Sequence, residues 1–169
     1  MALLHTPPGS LGSQLPHFTL PDPRGEIFST DELAADPVLV MFICNHCPYV
    51  MHVAPELARL GAEYQDRGVA VFAISANDVA SHPEDSPEQM VRESEERGYV
   101  FPYLFDEDQA VAKAYHAACT PDFYVFDKDK KLTYRGQLDD SRPGSGVPVT
   151  GKDLRAPLDA TMAGSPVAD

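Results

Sequence analysis

Two cysteines two residues apart, in Cys44-Asn-His-Cys47, are the part of this chain best equipped for chemistry. That spacing brings the sulfurs within disulfide reach when the segment turns into the first turn of a helix. A helix start also supplies unpaired N–H groups and the positive end of a dipole, which stabilise a thiolate and lower its pKa. His46, immediately before the second cysteine, can add positive charge or a hydrogen bond to the Cys44 thiolate, and Asn45 beside it reads as a tuning or partner-binding residue. A third cysteine stands in Cys119-Thr120-Pro121. The residue before a proline is held extended, and such a turn is a candidate for a cis bond.

Other readings of the same residues stay open. The pair could be two buried cysteines that match by spacing alone. Cys44-x-x-Cys47 with His116-x-x-Cys119 also makes a four-ligand zinc set of acceptable spacing. Cys119 by itself reads first as a small buried filler and second as a resolving thiol. His52 and His116 read as helix-surface residues, Asp139-Asp140-Ser141-Arg142 as a solvated loop, and the methionines and aromatics as core. Ser75-Ala-Asn-Asp78 follows a strand's C-terminal end, where sites gather in α/β sheets.

The elements that must position these residues are legible in outline. Residues 1–14 are rich in Pro, Gly and Ser and read as a loosely held arm, and 165–169 as a tail. Phe18–Phe28 reads as a hairpin around Pro-Asp-Pro-Arg-Gly, followed by a short helix over Asp31–Ala35. Val38–Ile43 is apolar throughout, as in a strand covered on both faces. An amphipathic helix runs to about Gly68, with Met51, Ala54, Ala58 and Gly61 on one stripe and Pro55 as an internal kink. Val69–Ile74 is a second strand, and Ser86-Pro87 caps a helix to Gly98. Then come a strand over Tyr99–Leu104, a helix over Asp106–Ala118, strands at Asp122–Phe126 and Leu132–Arg135, a Pro/Gly-rich loop from Ser141 to Gly151, and a helix over Lys152–Ala163. This order predicts one α/β domain, residues 15–164, with a mixed sheet and helices on both faces.

Composition limits the function classes. The chain has 169 residues, near the size of one domain. Lys and Arg number 13 against 26 Asp and Glu, a net charge of −13, which disfavours nucleic-acid and anionic-membrane binding. Hydrophobic residues at 43% and charged residues at 23% fit an ordered globular chain. The longest apolar run is strand-sized, the start lacks the pattern of a secretory signal, and three cysteines do not make a disulfide scaffold. A cytoplasmic location is the expectation.

Three segments, Phe42-Ile-Cys-Asn-His-Cys-Pro-Tyr-Val50, Cys119-Thr-Pro-Asp-Phe-Tyr-Val-Phe-Asp127 and Gly136-Gln-Leu-Asp-Asp-Ser-Arg-Pro143, resemble the peroxiredoxin-like group of thioredoxin-fold proteins. That group is filed with the alkyl hydroperoxide reductase/thiol-specific antioxidant family. The resemblance implies a thioredoxin-like fold with an N-terminal hairpin extension, and an antioxidant or redox-homeostasis role. It implies thiol–disulfide exchange in which Cys44 attacks from the exposed lip of the helix and Cys47, one turn deeper, resolves. Thr120 and Pro121 would hold the partner by backbone contacts. No cofactor is expected, the partners being protein or small-molecule thiols and disulfides, with the chain a monomer or weak homodimer.

The departures are specific. The peroxidase pattern Pro-x-x-x-Thr/Ser-x-x-Cys fails in both registers: Val40 and Cys44 precede Cys47, and Pro37 and Met41 precede Cys44. Thioredoxin's own signature is also altered, with Ile43 for its tryptophan, Asn-His for Gly-Pro, and the helix proline displaced to Pro55. A thiol peroxidase and a zinc-binding module are therefore the alternatives to a disulfide oxidoreductase.

Overall fold

The computed structural model of the protein describes residues 11–167. At its centre is β3 (Val38–Phe42), buried at every position. A strand without a polar face needs a partner on each edge and cover on each side. β4 (Ala70–Ser75) lies parallel on one edge with Val38 opposite Ala70, and β6 (Asp122–Phe126) antiparallel on the other with Val38 opposite Phe126. β5 (Tyr103–Phe105) extends the parallel side and β7 (Leu132–Gly136) the antiparallel side, so the sheet runs β5-β4-β3-β6-β7. The expected hairpin is a separate pair, β1 (Thr19–Pro21) with β2 (Ile27–Ser29).

Alternation along β3 divides the core in two. Leu39 and Met41 pack with α1 (Pro48–Asp66), α2 (Pro87–Arg97) and α4 (Lys152–Met162). Val38, Val40 and Phe42 pack with the hairpin and with α3 (Ala110–Ala114). The buried stripe of α1 is Val50, Val53, Ala54, Leu57, Leu60, Gly61 and Tyr64. Met51, expected in the core, is 47% exposed instead. The helix runs through Pro55, which faces solvent. Gly61 allows Phe101 to close on α1, since a Cβ there would lie 2.4 Å from the ring.

Several elements are shorter than the pattern suggests. The helix expected over Asp106–Ala118 shrinks to α3, because Gln109 (φ 63°) and His116 (φ 57°) adopt left-handed backbone at its two ends. Only a 3-10 turn forms at Thr30–Glu32, capped by Ser29. Tyr99 and Phe101 stack at 4.9 Å before β5 begins at Tyr103. Of the expected arm, residues 1–10 lie outside the described residues. Residues 12–14 run against the start of β7: Gly12 N donates to the Leu132 carbonyl, Leu132 N to that of Ser13, and Gln14 bridges Lys131. The Asp139–Arg142 stretch is not solvated loop. Asp139 and Ser141 are buried, and Asp139 accepts from the N–H groups of Ser141, Thr150 and Gly151. His52 reaches this loop, its Nε2 standing 2.7 Å from Ser141 Oγ. Among the described residues no helix is long and apolar enough to cross a membrane.

Candidate active site

β3 delivers Ile43, whose N–H still bonds Ile74, and the chain then turns through Cys44–Cys47 before α1 starts at Pro48. The helix therefore begins three residues later than a Cys44 thiolate requires. Cys47 is the N-cap, with extended backbone and no side-chain cap hydrogen bond, and the nearby N–H groups of Tyr49 and Val50 favour its ionised form. Neither cysteine sits on an exposed lip: Cys44 is 2% exposed and Cys47 5%.

A proton held on one thiol favours a thiolate on the other, and the surroundings weigh where that charge rests. A hydrogen bond from the Cys44 thiol, aided by the Thr120 hydroxyl and the two helix N–H groups, outweighs burial and holds Cys47 down to about 5. Cys44 is pushed strongly upward by its bond to Cys47, by burial and by the negative charge of Asp85. These neighbours favour the charge on Cys47, at the cap of α1, whereas the family resemblance gives the attacking role to Cys44.

Opposite the pair, the Thr120-Pro121 bond is cis as the sequence suggested. Thr120 Oγ1 lies 3.6 Å from Cys44 Sγ, and its carbonyl oxygen 3.6 Å from Cys47 Sγ. Cys119 is half-buried and lines the same cleft as the pair, so it is not sealed into the sheet as a filler.

The residue that sequence reasoning missed is Asp85, fully buried in the loop after β4. One carboxylate oxygen accepts the backbone N–H groups of Asn45 at 2.7 Å and His46 at 3.1 Å. The other takes Asn77 Nδ2 at 2.8 Å and pairs with His46 Nδ1. Asn45 is fixed further, its amide donating to the Glu84 carbonyl and accepting from the Tyr103 hydroxyl at 3.0 Å. His46 stacks flat on His82 at 4.3 Å. His46 is therefore oriented by Asp85 rather than by a direct bond to Cys44. The one available signal was the position of Ser75–Asp78 after a strand end, which did mark Asn77.

The zinc set proposed by spacing does not assemble. Among the described residues, the group able to hold a metal is Cys44, His46 and Asp85, one ligand atom of each within 4.8 Å of the others. Four N–H donors already occupy the Asp85 oxygens, so it acts as an orienting carboxylate and not as a spare ligand. His116, at its left-handed bend, is exposed and outside this group.

Comparison with known proteins supports the same frame. The AhpC/TSA family profile matches residues 11–135. A solved structure of an uncharacterized conserved protein from Geobacillus kaustophilus is 51% identical, covers 100% of this chain and 90% of its own, and superposes with a TM-score of 0.95. Thiol-disulfide oxidoreductase ResA from Halalkalibacterium halodurans is 31% identical over 105 residues, which is 62% of this chain. The chain spans only 55% of that relative's length. A thiol:disulfide interchange protein of the thioredoxin family from Chlorobium tepidum shares the fold, with a TM-score of 0.70 at 14% identity over 91% of this chain and 99% of its own.

Proposed function

The chain belongs to the AhpC/TSA family with a thioredoxin-like fold, and we propose from its site that it is a thiol–disulfide oxidoreductase working through Cys44 and Cys47. One observation carries the reading: two thiols stand at a strand-to-helix junction, both within 3.6 Å of Thr120 and facing cis-Pro121. The Cys47 thiolate attacks one sulfur of a disulfide and forms a mixed disulfide, releasing the other sulfur as a thiolate. Cys44 then loses its proton and attacks Cys47 sulfur, leaving a Cys44–Cys47 disulfide and freeing the second thiol. A ring nitrogen of His46 lies within 4.8 Å of Cys44 Sγ, and His46, held by Asp85, is the group that takes this proton. Thiols and disulfides are the substrates of this chemistry. A cytoplasmic setting, in which the resting pair is reduced, belongs to the same proposal.

Trapping tests the assignment. Cys44→Ser keeps the attacking sulfur and should accumulate mixed disulfide on Cys47, whereas Cys47→Ser should accumulate little. The opposite pattern would restore Cys44 as the attacking residue. A second reading, thiol peroxidase, draws on one specific feature. The Cys44 thiol donates to the Cys47 thiolate from the position where the peroxidase pattern has Thr or Ser. Consumption of peroxide with an added dithiol, measured beside disulfide reduction, separates the two readings.

A further inference from the structure

The cleft on which the cysteines open measures about 430 Å³, inside the range of roughly 300–1,000 Å³ typical of small-molecule sites. Phe42, Ile74, Ala112 and Ala117 give it an apolar floor, and Asn77 and Gln109 a polar edge. Its charge is more informative. The chain has twice as many acids as Lys and Arg, yet no acidic residue lines the cleft, while His82 and Lys113 do. The nearby carboxylates are turned inward and satisfied: Asp85 by its four N–H donors, and Asp106 by the N–H groups of Val111 and Ala112.

Most of the chain's cations are neutralised within the fold. Arg24, Arg59, Arg67, Arg97, Arg135, Lys152 and Arg155 each face a carboxylate. Lys113 is exposed and forms no ion pair among the described residues. It stands on α3, the helix bracketed by left-handed Gln109 and His116. Such backbone costs a non-glycine residue stability and persists where its surroundings impose it, often at binding sites. Here it sets Gln109 and Lys113 on one wall of the cleft, facing the space beside the cysteines.

We propose that this cleft takes a low-molecular-weight disulfide bearing a carboxylate, with the carboxylate at Lys113, the apolar body on the Phe42–Ile74 floor and the sulfur bridge against Cys47. The proposal rests on the thiol–disulfide reading above and names its substrate class. The electron balance closes within one turnover. Cys47 thiolate displaces one substrate sulfur as thiolate, Cys44 displaces the second, and both leaving groups end as thiols. The enzyme loses two electrons as its disulfide forms, and the substrate gains them. The shape argues for a small molecule, since an extended protein segment needs an open edge more than an apolar recess.

The test uses three disulfides of similar length and different charge, dithiodipropionate, hydroxyethyl disulfide and cystamine, with insulin as a protein disulfide. Single-turnover oxidation of the reduced protein is followed by acid quenching, alkylation and mass measurement of the protein's remaining free thiols, and each rate is divided by that of the same disulfide with a free thiol. The acidic disulfide should be preferred over the neutral one by about fivefold, the upper range for one solvent-exposed charge pair, and cystamine should be slowest. Lys113→Met should collapse this ratio and Lys113→Glu should invert it toward cystamine. Lys128→Met, on the distant turn between β6 and β7, should leave the ratio unchanged. Equal rates for the three small disulfides, a ratio indifferent to Lys113, or insulin as the fastest substrate would overturn the proposal while leaving the oxidoreductase reading intact. Failure to reduce any of the four would refute that reading itself.

Discussion

Replacing Cys44 by alanine should raise the pKa of Cys47 without returning it to that of a free thiol. In the intact site the Cys47 thiolate accepts a bond from the Cys44 thiol, and this is the largest influence holding it at about 5. A hydrogen bond to a charged group contributes ~1.5–3 kcal/mol, and one pKa unit corresponds to ~1.4 kcal/mol, so its loss should shift Cys47 upward by ~1–2 units. The Tyr49 and Val50 N–H groups and the Thr120 hydroxyl remain, which keeps the value below the ~8.5 of free cysteine. Water entering the space left by the thiol solvates the anion and offsets part of the loss. Cys44→Ser, which keeps an O–H donor in place, should stay near the parent. The assay is the alkylation rate of each cysteine against pH, assigned by peptide mapping. A wild-type Cys47 midpoint at or above ~8.5, or Cys44 alkylating first, would refute the argument that the helix cap selects the thiolate. An alanine variant with an unmoved Cys47 midpoint would refute the shared-proton geometry.

Reduction of the disulfide should take up one proton above about pH 5, where Cys47 stays ionised, and two below it. The potential should therefore fall by ~30 mV per pH unit above that point and ~59 mV below it, as read by equilibration with a dithiol buffer at each pH. The depressed Cys47 pKa makes the reduced fold gain stability as pH rises from about 5 toward the unfolded thiol value of ~8.5, and above that value the raised Cys44 pKa acts in the opposite direction. Asp85→Asn removes the charge that four donors share and leaves one acceptor oxygen for them; a loss of ~2–3 kcal/mol in urea unfolding is expected, and a loss under ~0.5 would mean the loop is held otherwise. Gly61→Ala puts a Cβ into the Phe101 ring and should cost ~1–3 kcal/mol in the same assay, because the buried ring must shift against its neighbours.

The sequence by itself determined the strands that are buried on both faces and the helices with clear caps. Val38–Phe42 has no polar position to present to water, so burial in mid-sheet was its only stable fate, and Ser86-Pro87 with Gly98 delimits α2 through local backbone chemistry alone. The same local logic located Cys44, Cys47 and the Thr120-Pro121 turn, since strand-to-helix junctions and proline turns are written in adjacent residues. Tertiary structure decided what depends on distance in space. Asp85 is one of 26 acidic residues, and nothing local distinguishes it; it became the clamp of the cysteine loop because the chain after β4 folds back over Asn45 and His46. The proline at the first turn of α1 was legible in Pro48, but which cysteine carries the charge depends on Asp85 and Thr120, brought in from distant segments. The shortening of α3 is likewise absent from the local pattern, which continues past His116 although the backbone turns left-handed there. Local residues state what each segment prefers, and the packing of segments distant in sequence decides which preference yields.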